Sequence, residues 1–216
     1  RDPTLTQRLL RRATSPWYRR GPDSIVSMIA AVQRIGARGV ENLFLESVVK
    51  GLLCRPGGVY NRMVSAEWSE MLNSSAQSRR LAPAFGIDAD TAHSRGLLHD
   101  VGKLVIFDRI SAMRGELRRD VQIPDGYLFR LLDRLHEPLG AQADLHWGMG
   151  GEAAFAVAHH HRQPVPEGHE PMTELLYVAD HIDLARARLE DWDEVWKAGA
   201  ISVDIETVQK GCRRAA

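Results

Sequence analysis

A histidine and an aspartate stand side by side in an otherwise apolar stretch that runs from Gly96 to Leu104. Burying His99 and Asp100 without partners would cost free energy, so each side chain needs a hydrogen bond or a cation. Neighbouring helical residues point about 100° apart, so both can face one point only if a ligand lies between them or the carboxylate bridges two metal ions. The alternative is that His99 hydrogen-bonds Asp100 or a nearby backbone group inside a packed core.

Residues of the same types recur farther along the chain. His136 precedes Glu137, three consecutive histidines end at His161, and Asp180 follows Val178 and Ala179. Imidazole and carboxylate side chains from several helices could converge on a hard or borderline metal ion. Histidine runs also occur at exposed helix ends, so the spacing leaves a metal or phosphate site and ordinary packed histidines both open.

Helical periodicity predominates in the elements that must position these residues. Apolar residues at helical spacing mark Ile25 to Ile35 and Leu43 to Leu53. Further helices are expected over about Ser65–Phe85, Asp90–Phe107, Gly126–His146, Gly151–His161 and Met172–Arg188. Alternating strand patterns are nearly absent, which predicts an all-α fold. A stop at Arg55-Pro56-Gly57-Gly58 predicts two lobes, an amino-terminal helical lobe over 1–60 and a second helical lobe over 61–216.

Composition narrows the classes of partner. The chain has 216 residues, of which 44% are apolar, and its 28 Lys and Arg balance 28 Asp and Glu. A net charge of zero gives no general attraction to nucleic acid or to anionic lipid. The two cysteines, Cys54 and Cys212, have no neighbouring cysteine, which favours a reducing cytoplasm. No run approaches the roughly 20 apolar residues of a membrane span, so no membrane partner is expected.

The order of the motifs resembles the HDOD family, which is related to the HD and HD-GYP metal-dependent phosphohydrolases. The segment from Gly96 to Lys103 is similar to the family signature Gly-Leu-Leu-His-Asp-Ile-Gly-Lys. The segment from His136 to Ala141 resembles the family pattern His-x-x-x-Gly-Ala, and the paired histidines and Asp180 follow in the family's order. The resemblance implies a two-lobed helical domain with an HD-like core.

Carried over position by position, the resemblance implies a set of metal ligands. These are Glu70, His99, Asp100, His136, His160, His161 and Asp180. Lys103 maps onto a lysine near the substrate phosphate, and the implied cation is Fe, Mn, Mg or Zn, with no metal as the alternative. Glu70 departs from the histidine of catalytic relatives, which changes the charge and reach of the site. A second departure is the absence of a Gly-Tyr-Pro segment after the paired histidines, which argues against cyclic dinucleotide hydrolysis.

The resemblance also implies a function. We expect a bacterial, cytoplasmic signalling output module that acts through a protein partner, an upstream sensor domain or a bound ligand rather than by turnover. The alternative is a metal-dependent phosphohydrolase in which Asp100 and Lys103 are catalytic, and a nucleotide-binding sensor is a third possibility. Four other histidines are predicted to be surface or packed side chains, namely His93, His146, His169 and His181.

Overall fold

The protein is described by a computed structural model that covers 3–19, 27–54, 60–117, 123–162, 164–165, 168, 170–182, 189–199, 201–206 and 208. The helices are α1 (Pro3–Ala13), α2 (Met28–Leu53), α3 (Asn61–Leu81), α4 (Ala89–Leu98), α5 (Val101–Leu117), α6 (Asp125–His146), α7 (Gly151–His159), α8 (Glu170–His181) and α9 (Leu189–Gly199). A short 3₁₀ helix, Ala82–Phe85, follows α3. Those ranges contain no strand, so the all-α prediction is confirmed. Within them, no helix is both long and apolar enough to cross a bilayer.

The chain forms two compact units, Arg1–Leu52 and Leu53–Ala216. The stop at 55–58 lies outside the described residues, and the two lobes divided near residue 60 stay a prediction. In the first unit α2 bends at Gly36, whose φ of 72° and ψ of 175° lie in a region that favours glycine. The buried carboxylate of Glu46 on α2 accepts hydrogen bonds from Arg8, at 3.0 Å, and from Arg12 of α1.

The second unit is built from helices that approach each other closely at glycines. Helix α3 packs along α4, and α5 packs along α6, which in turn packs on α7. A Cβ atom on Gly96 of α4 would lie 2.3 Å from the Ser78 hydroxyl on α3. One on Gly102 of α5 would lie 2.0 Å from the backbone oxygen of His136 on α6. Glycine at 102 therefore lets the start of α5 lie directly against the turn of α6 that carries His136.

The segment predicted as one helix over Asp90–Phe107 is broken at the polar pair, so that prediction was wrong. Helix α4 ends at Leu98, α5 begins at Val101, and His99 and Asp100 form a turn between them. The turn is held by the Lys103 N–H, which donates to the Asp100 carbonyl at 2.9 Å. Helix α4 stops before the pair, although His99 keeps helical backbone angles, with φ of −53° and ψ of −36°. His99 Nε2 and Asp100 Oδ2 lie 3.3 Å apart, so the two side chains face one centre.

Candidate metal centre

Six of the seven ligand positions implied by the resemblance lie together in the second unit. The turn between α4 and α5, helix α6, the residues after α7 and helix α8 bring together His99, Asp100, His136, His160, His161 and Asp180. Glu70 is the exception, since it is exposed on α3 and belongs to none of the groups of potential ligands formed by the described residues. The cluster therefore forms without the residue at which the chain departs from the implied ligand pattern.

Asp100 lies at the middle of the cluster and is almost fully buried. Its Oδ1 atom lies 3.6 Å from His136 Nε2 and 3.8 Å from His160 Nε2. Its Oδ2 atom lies 2.6 Å from Lys103 Nζ and 3.3 Å from His99 Nε2. The two oxygens of one carboxylate thus face different surroundings, one lined by two imidazoles and the other held by an ammonium and an imidazole.

Backbone carbonyls fix the orientation of the buried histidine rings. The Nδ1 atom of His99 lies 2.8 Å from the backbone oxygen of Gly96. The Nδ1 atom of His136 lies 2.8 Å from the backbone oxygen of Leu132, and that of His160 lies 2.7 Å from the backbone oxygen of Val157. A carbonyl can only accept, so each Nδ1 carries the proton and donates it. As neutral rings in that state, His136 and His160 present the lone pair of Nε2 to the centre, as metal-binding histidines do, whereas His99 Nε2 meets two carboxylates.

Three buried atoms at the centre lack a hydrogen-bond partner among the described residues. They are His136 Nε2, His160 Nε2 and Asp100 Oδ1. None of the three carries a proton in this state, so they cannot satisfy one another, and burying them unpaired is costly. A divalent cation would satisfy all three at once. Together with His161, the four ligand atoms lie within 4.8 Å of one another, so the residues fit a metal ion with nitrogen and oxygen ligands.

The other half of the cluster is already paired. His99 Nε2 lies 3.3 Å from Asp180 Oδ1 as well as from Asp100 Oδ2. The Asp180 side chain is 27% exposed, and its second oxygen lies 3.7 Å from His161 Nδ1 and 3.8 Å from His181 Nδ1. His99, Asp100 and Asp180 form a further potential ligand group, as do His161, Asp180 and His181. His181, predicted to be a surface or packed histidine, therefore lies at the edge of the cluster.

Burial and charge set the protonation states before any cation binds. Burial opposes a charge on His99, but Asp100 and Asp180 outweigh it and raise the pKa of His99 to about 10. Burial likewise opposes ionisation of Asp100, but His99 and Lys103 hold its pKa well below the usual value. Burial, with His99 and His161 nearby, lowers the pKa of His160 well below its usual value. His160 is therefore a neutral imidazole, the form that binds metals.

A model of the HDOD domain matches residues 1–163, which is three quarters of the chain. The chain belongs to the HDOD family. No curated protein matches this HDOD domain. Its fold is shared by solved structures that are 18% to 21% identical in sequence.

Three of these structures illustrate the range of names attached to the fold. One, from Shewanella amazonensis, is assigned by name to the metal-dependent phosphohydrolases, with a TM-score of 0.72, 18% identity, and coverage of 98% of this chain and 81% of that one. An HDOD domain protein of unknown function from Geobacter sulfurreducens has a TM-score of 0.66 and 20% identity, and the match covers 99% of this chain and 79% of that one. A protein from Marinobacter aquaeolei assigned by name to signal transduction has a TM-score of 0.63 and 21% identity, and the match covers 99% of this chain and 50% of that one.

The α3 acid that faces the centre of this HDOD domain is Glu67, one helical turn before Glu70. Its Oε2 atom lies 3.5 Å from Lys103 Nζ. Burial raises the pKa of Glu67, although Lys103 acts in the opposite direction. Burial disfavours the charge on Lys103, but Asp100 and Glu67 outweigh it and raise the pKa of the ammonium. The family pattern directed attention to Glu70, and only the packing of α3 distinguishes the two glutamates.

Proposed function

We propose that this HDOD domain is a regulatory signalling module that holds one divalent cation and acts by binding rather than by turnover. The observation that carries the proposal is the unequal division of the cluster around Asp100. In one half, three atoms have no hydrogen-bond partner within the described ranges, whereas in the other half Lys103 and His99 already hold Asp100 Oδ2. Hydrolysis by a two-metal mechanism needs a cation on each side, and no α3 residue among those described joins any of the three ligand groups.

The cation would be held by Asp100, His136 and His160, with His161 as the more exposed fourth ligand. The imidazoles of this site suit Fe²⁺ or Zn²⁺, and the Asp100 carboxylate supplies an oxygen ligand of the kind that Mn²⁺ and Mg²⁺ prefer. The bound ion would neutralise buried negative charge and offer a Lewis-acid position to a phosphate or carboxylate oxygen. Because its ligands come from the α4–α5 turn, α6 and the end of α7, binding would tie three elements together and stabilise the unit.

The unpartnered atoms also favour a second candidate, a metal-dependent phosphohydrolase. In that function Asp100 would hold the cation, and Lys103 would leave Asp100 Oδ2 to steady a phosphate oxygen with its ammonium group. The Lys103 side chain is 23% exposed, so a ligand at the mouth of the cluster could reach it. The two functions share the metal ligands and differ in whether a phosphate ester is cleaved.

Hydrolysis assays on the purified domain separate the two functions. Phosphodiester and nucleotide substrates are supplied with Mn²⁺, Fe²⁺, Zn²⁺ or Mg²⁺, and Asp100→Ala is compared with the wild type. A Glu70→Gln variant serves as the control, since that exposed side chain lies outside the cluster. We expect the same background rate in all three proteins. A metal-dependent rate that Asp100→Ala abolishes and Glu70→Gln retains would refute the regulatory proposal and support the hydrolase.

A further inference from the structure

The amino-terminal unit carries an open apolar groove with a volume of about 520 Å³. Helix α1 contributes Leu5 and Leu9 to its walls, and the part of α2 before Gly36 contributes Met28 and Val32. The part of α2 after the bend contributes Val40 and Phe44. The groove is therefore lined by three helical segments, and the bend at Gly36 sets the angle between two of them.

The groove rests on a packed core rather than on an unfilled interior. Leu9, Ile35 and Leu43 are at most 5% exposed and belong to one buried cluster of this unit. The ion pairs of Arg8 and Arg12 with Glu46 also hold α1 against α2. Because the floor is buried and the walls are held by charge, the concave surface is preformed, as binding grooves usually are.

Apolar side chains at the rim are exposed to an unusual degree. Met28 is 49% exposed, Val32 is 40% exposed and Phe44 is 56% exposed. Beyond Phe44 the same face of α2 continues with Val48 and Leu52, at 44% and 49%. Phe44, Val48 and Leu52 are spaced by four residues, so they form one stripe about 12 Å long, or two turns of helix. Contiguous apolar surface of this kind marks interaction sites in soluble proteins.

The charge of this unit indicates what kind of partner it attracts. Residues 1–52 contain nine Lys and Arg but only four Asp and Glu, a net charge of +5. Glu46, one of the four acids, is already occupied by Arg8 and Arg12. Arg11 and Lys50 lie exposed on α1 and α2. A partner that brings apolar residues to the groove is therefore favoured if its flanks are acidic.

We propose that the groove docks an amphipathic helix of a partner protein, with apolar residues at positions i, i+3 or i+4, and i+7 and acidic residues beside them. A helix that docks in a groove inserts apolar side chains at this spacing, because they lie on one face of the helix. Met28 adds a flexible side chain to the wall of the groove. A bilayer surface is broad and does not enter a concave groove between helices, so a helix fits this shape better than a membrane. The site lies in the unit that does not contain the metal centre.

Two synthetic helical peptides test the proposal on the full chain. Both are about 20 residues long with Leu at the helical anchor positions, and their polar faces carry either Glu or Lys. Fluorescence anisotropy should show the Glu peptide binding at least about tenfold more tightly at low ionic strength. The difference in affinity between the two peptides should shrink at about 0.5 M salt, where charge interactions are screened. Equal binding of the two peptides at low ionic strength would overturn the proposal.

Matched substitutions locate the binding. Phe44→Asp and Val32→Asp should each weaken binding of the Glu peptide by about tenfold or more. Phe129→Asp, at a 58% exposed position on α6 in the other unit, should leave it unchanged. Circular dichroism and cation binding at the metal centre should be unaffected by all three, because each side chain is exposed and none belongs to the groups of potential ligands.

Three results would contradict the proposal. Wild-type peptide binding by both Phe44→Asp and Val32→Asp would place the site elsewhere. Self-association that Phe44→Asp removes and the Glu peptide does not inhibit would assign the groove to a second copy of the chain. Tighter binding to phosphatidylglycerol vesicles than to the Glu peptide, lost in Phe44→Asp, would assign it to a membrane.

Discussion

At the scale of single residues, Asp100 divides the cluster into two halves because its two carboxylate oxygens have different neighbours. Oδ1 faces the Nε2 atoms of His136 and His160, which no other described residue hydrogen-bonds, whereas Oδ2 is held by Lys103 at 2.6 Å. The sequence signature identified all four of these residues. It could not assign an oxygen to each neighbour, since that depends on the backbone turn at residues 99 and 100 and on the facing helices.

Replacing Lys103 by Met is expected to tighten cation binding several-fold. The ammonium lies within hydrogen-bond distance of Asp100 and repels a second positive charge at the same carboxylate. Calorimetric titration of the metal-free protein with Mn²⁺ measures the change. Lys50→Met, at an exposed lysine of the amino-terminal unit, is the control and should bind like the wild type. Weaker binding by Lys103→Met would contradict the role assigned to this charge.

At the scale of helices, periodicity predicted the existence of α3, α6, α7 and α8, but not the break between α4 and α5. Apolar residues on both sides of His99 and Asp100 continue the helical pattern, and the turn is stabilised by contacts with other helices that the local sequence does not contain. The same limit explains Glu67. Both Glu67 and Glu70 lie on α3, and the packing against α5 decides which one meets Lys103.

Close helix packing at Gly102 gives a prediction with an internal control. A Cβ at this position would lie 2.0 Å from the His136 carbonyl oxygen, so Gly102→Ala must push α5 away from α6. We expect the free energy of unfolding to fall by about 1–3 kcal/mol and cation affinity to fall with it. Gly115→Ala on the same helix meets no atom of the described residues within 4 Å and should raise stability by up to about 1 kcal/mol. Chemical denaturation measures both, and equal effects would contradict the packing argument.

The carboxyl end of α6 contains a buried acid that makes stability depend on pH. Asp144 is fully buried, and neither of its oxygens has a hydrogen-bond partner in the part of the chain that the structure describes. Burial raises its pKa to about 6, although Arg95 acts in the opposite direction. A raised pKa means that the folded state binds the proton more tightly than the unfolded state. This contribution is therefore complete below pH 3.8, the usual pKa of the group, and is lost as pH rises through about 6.

Asp144→Asn is expected to remove that dependence. Above pH 7 the variant should exceed the wild type in free energy of unfolding by on the order of 2 kcal/mol, and the gain should vanish near pH 4. Urea denaturation across this pH range gives the comparison. A gain that stays constant with pH, or that grows as pH falls, would show that Asp144 does not carry the raised pKa.

At the scale of the whole molecule, the order of motifs predicted the family, whereas the average charge concealed the distribution of charge. The net charge of zero combines +5 in residues 1–52 with −5 in the remainder. Apolar residues over Ile25 to Ile35 and Leu43 to Leu53 predicted helices in this region, but the sequence pattern does not distinguish a face that packs inward from one that meets solvent. Val32 is 40% exposed although it lies in the predicted apolar stripe with the buried Ile35.

We propose that Asp100, His136 and His160 together hold one divalent cation. The most direct test of this site is the stoichiometry of Mn²⁺ binding to metal-free protein by calorimetry, with elemental analysis of the purified chain. The predicted result is one equivalent in the wild type and in Glu70→Gln, and none in His160→Ala under the same conditions. Two equivalents of Mn²⁺ in the wild type, or one equivalent retained by His160→Ala, would contradict a single cation site at these three residues.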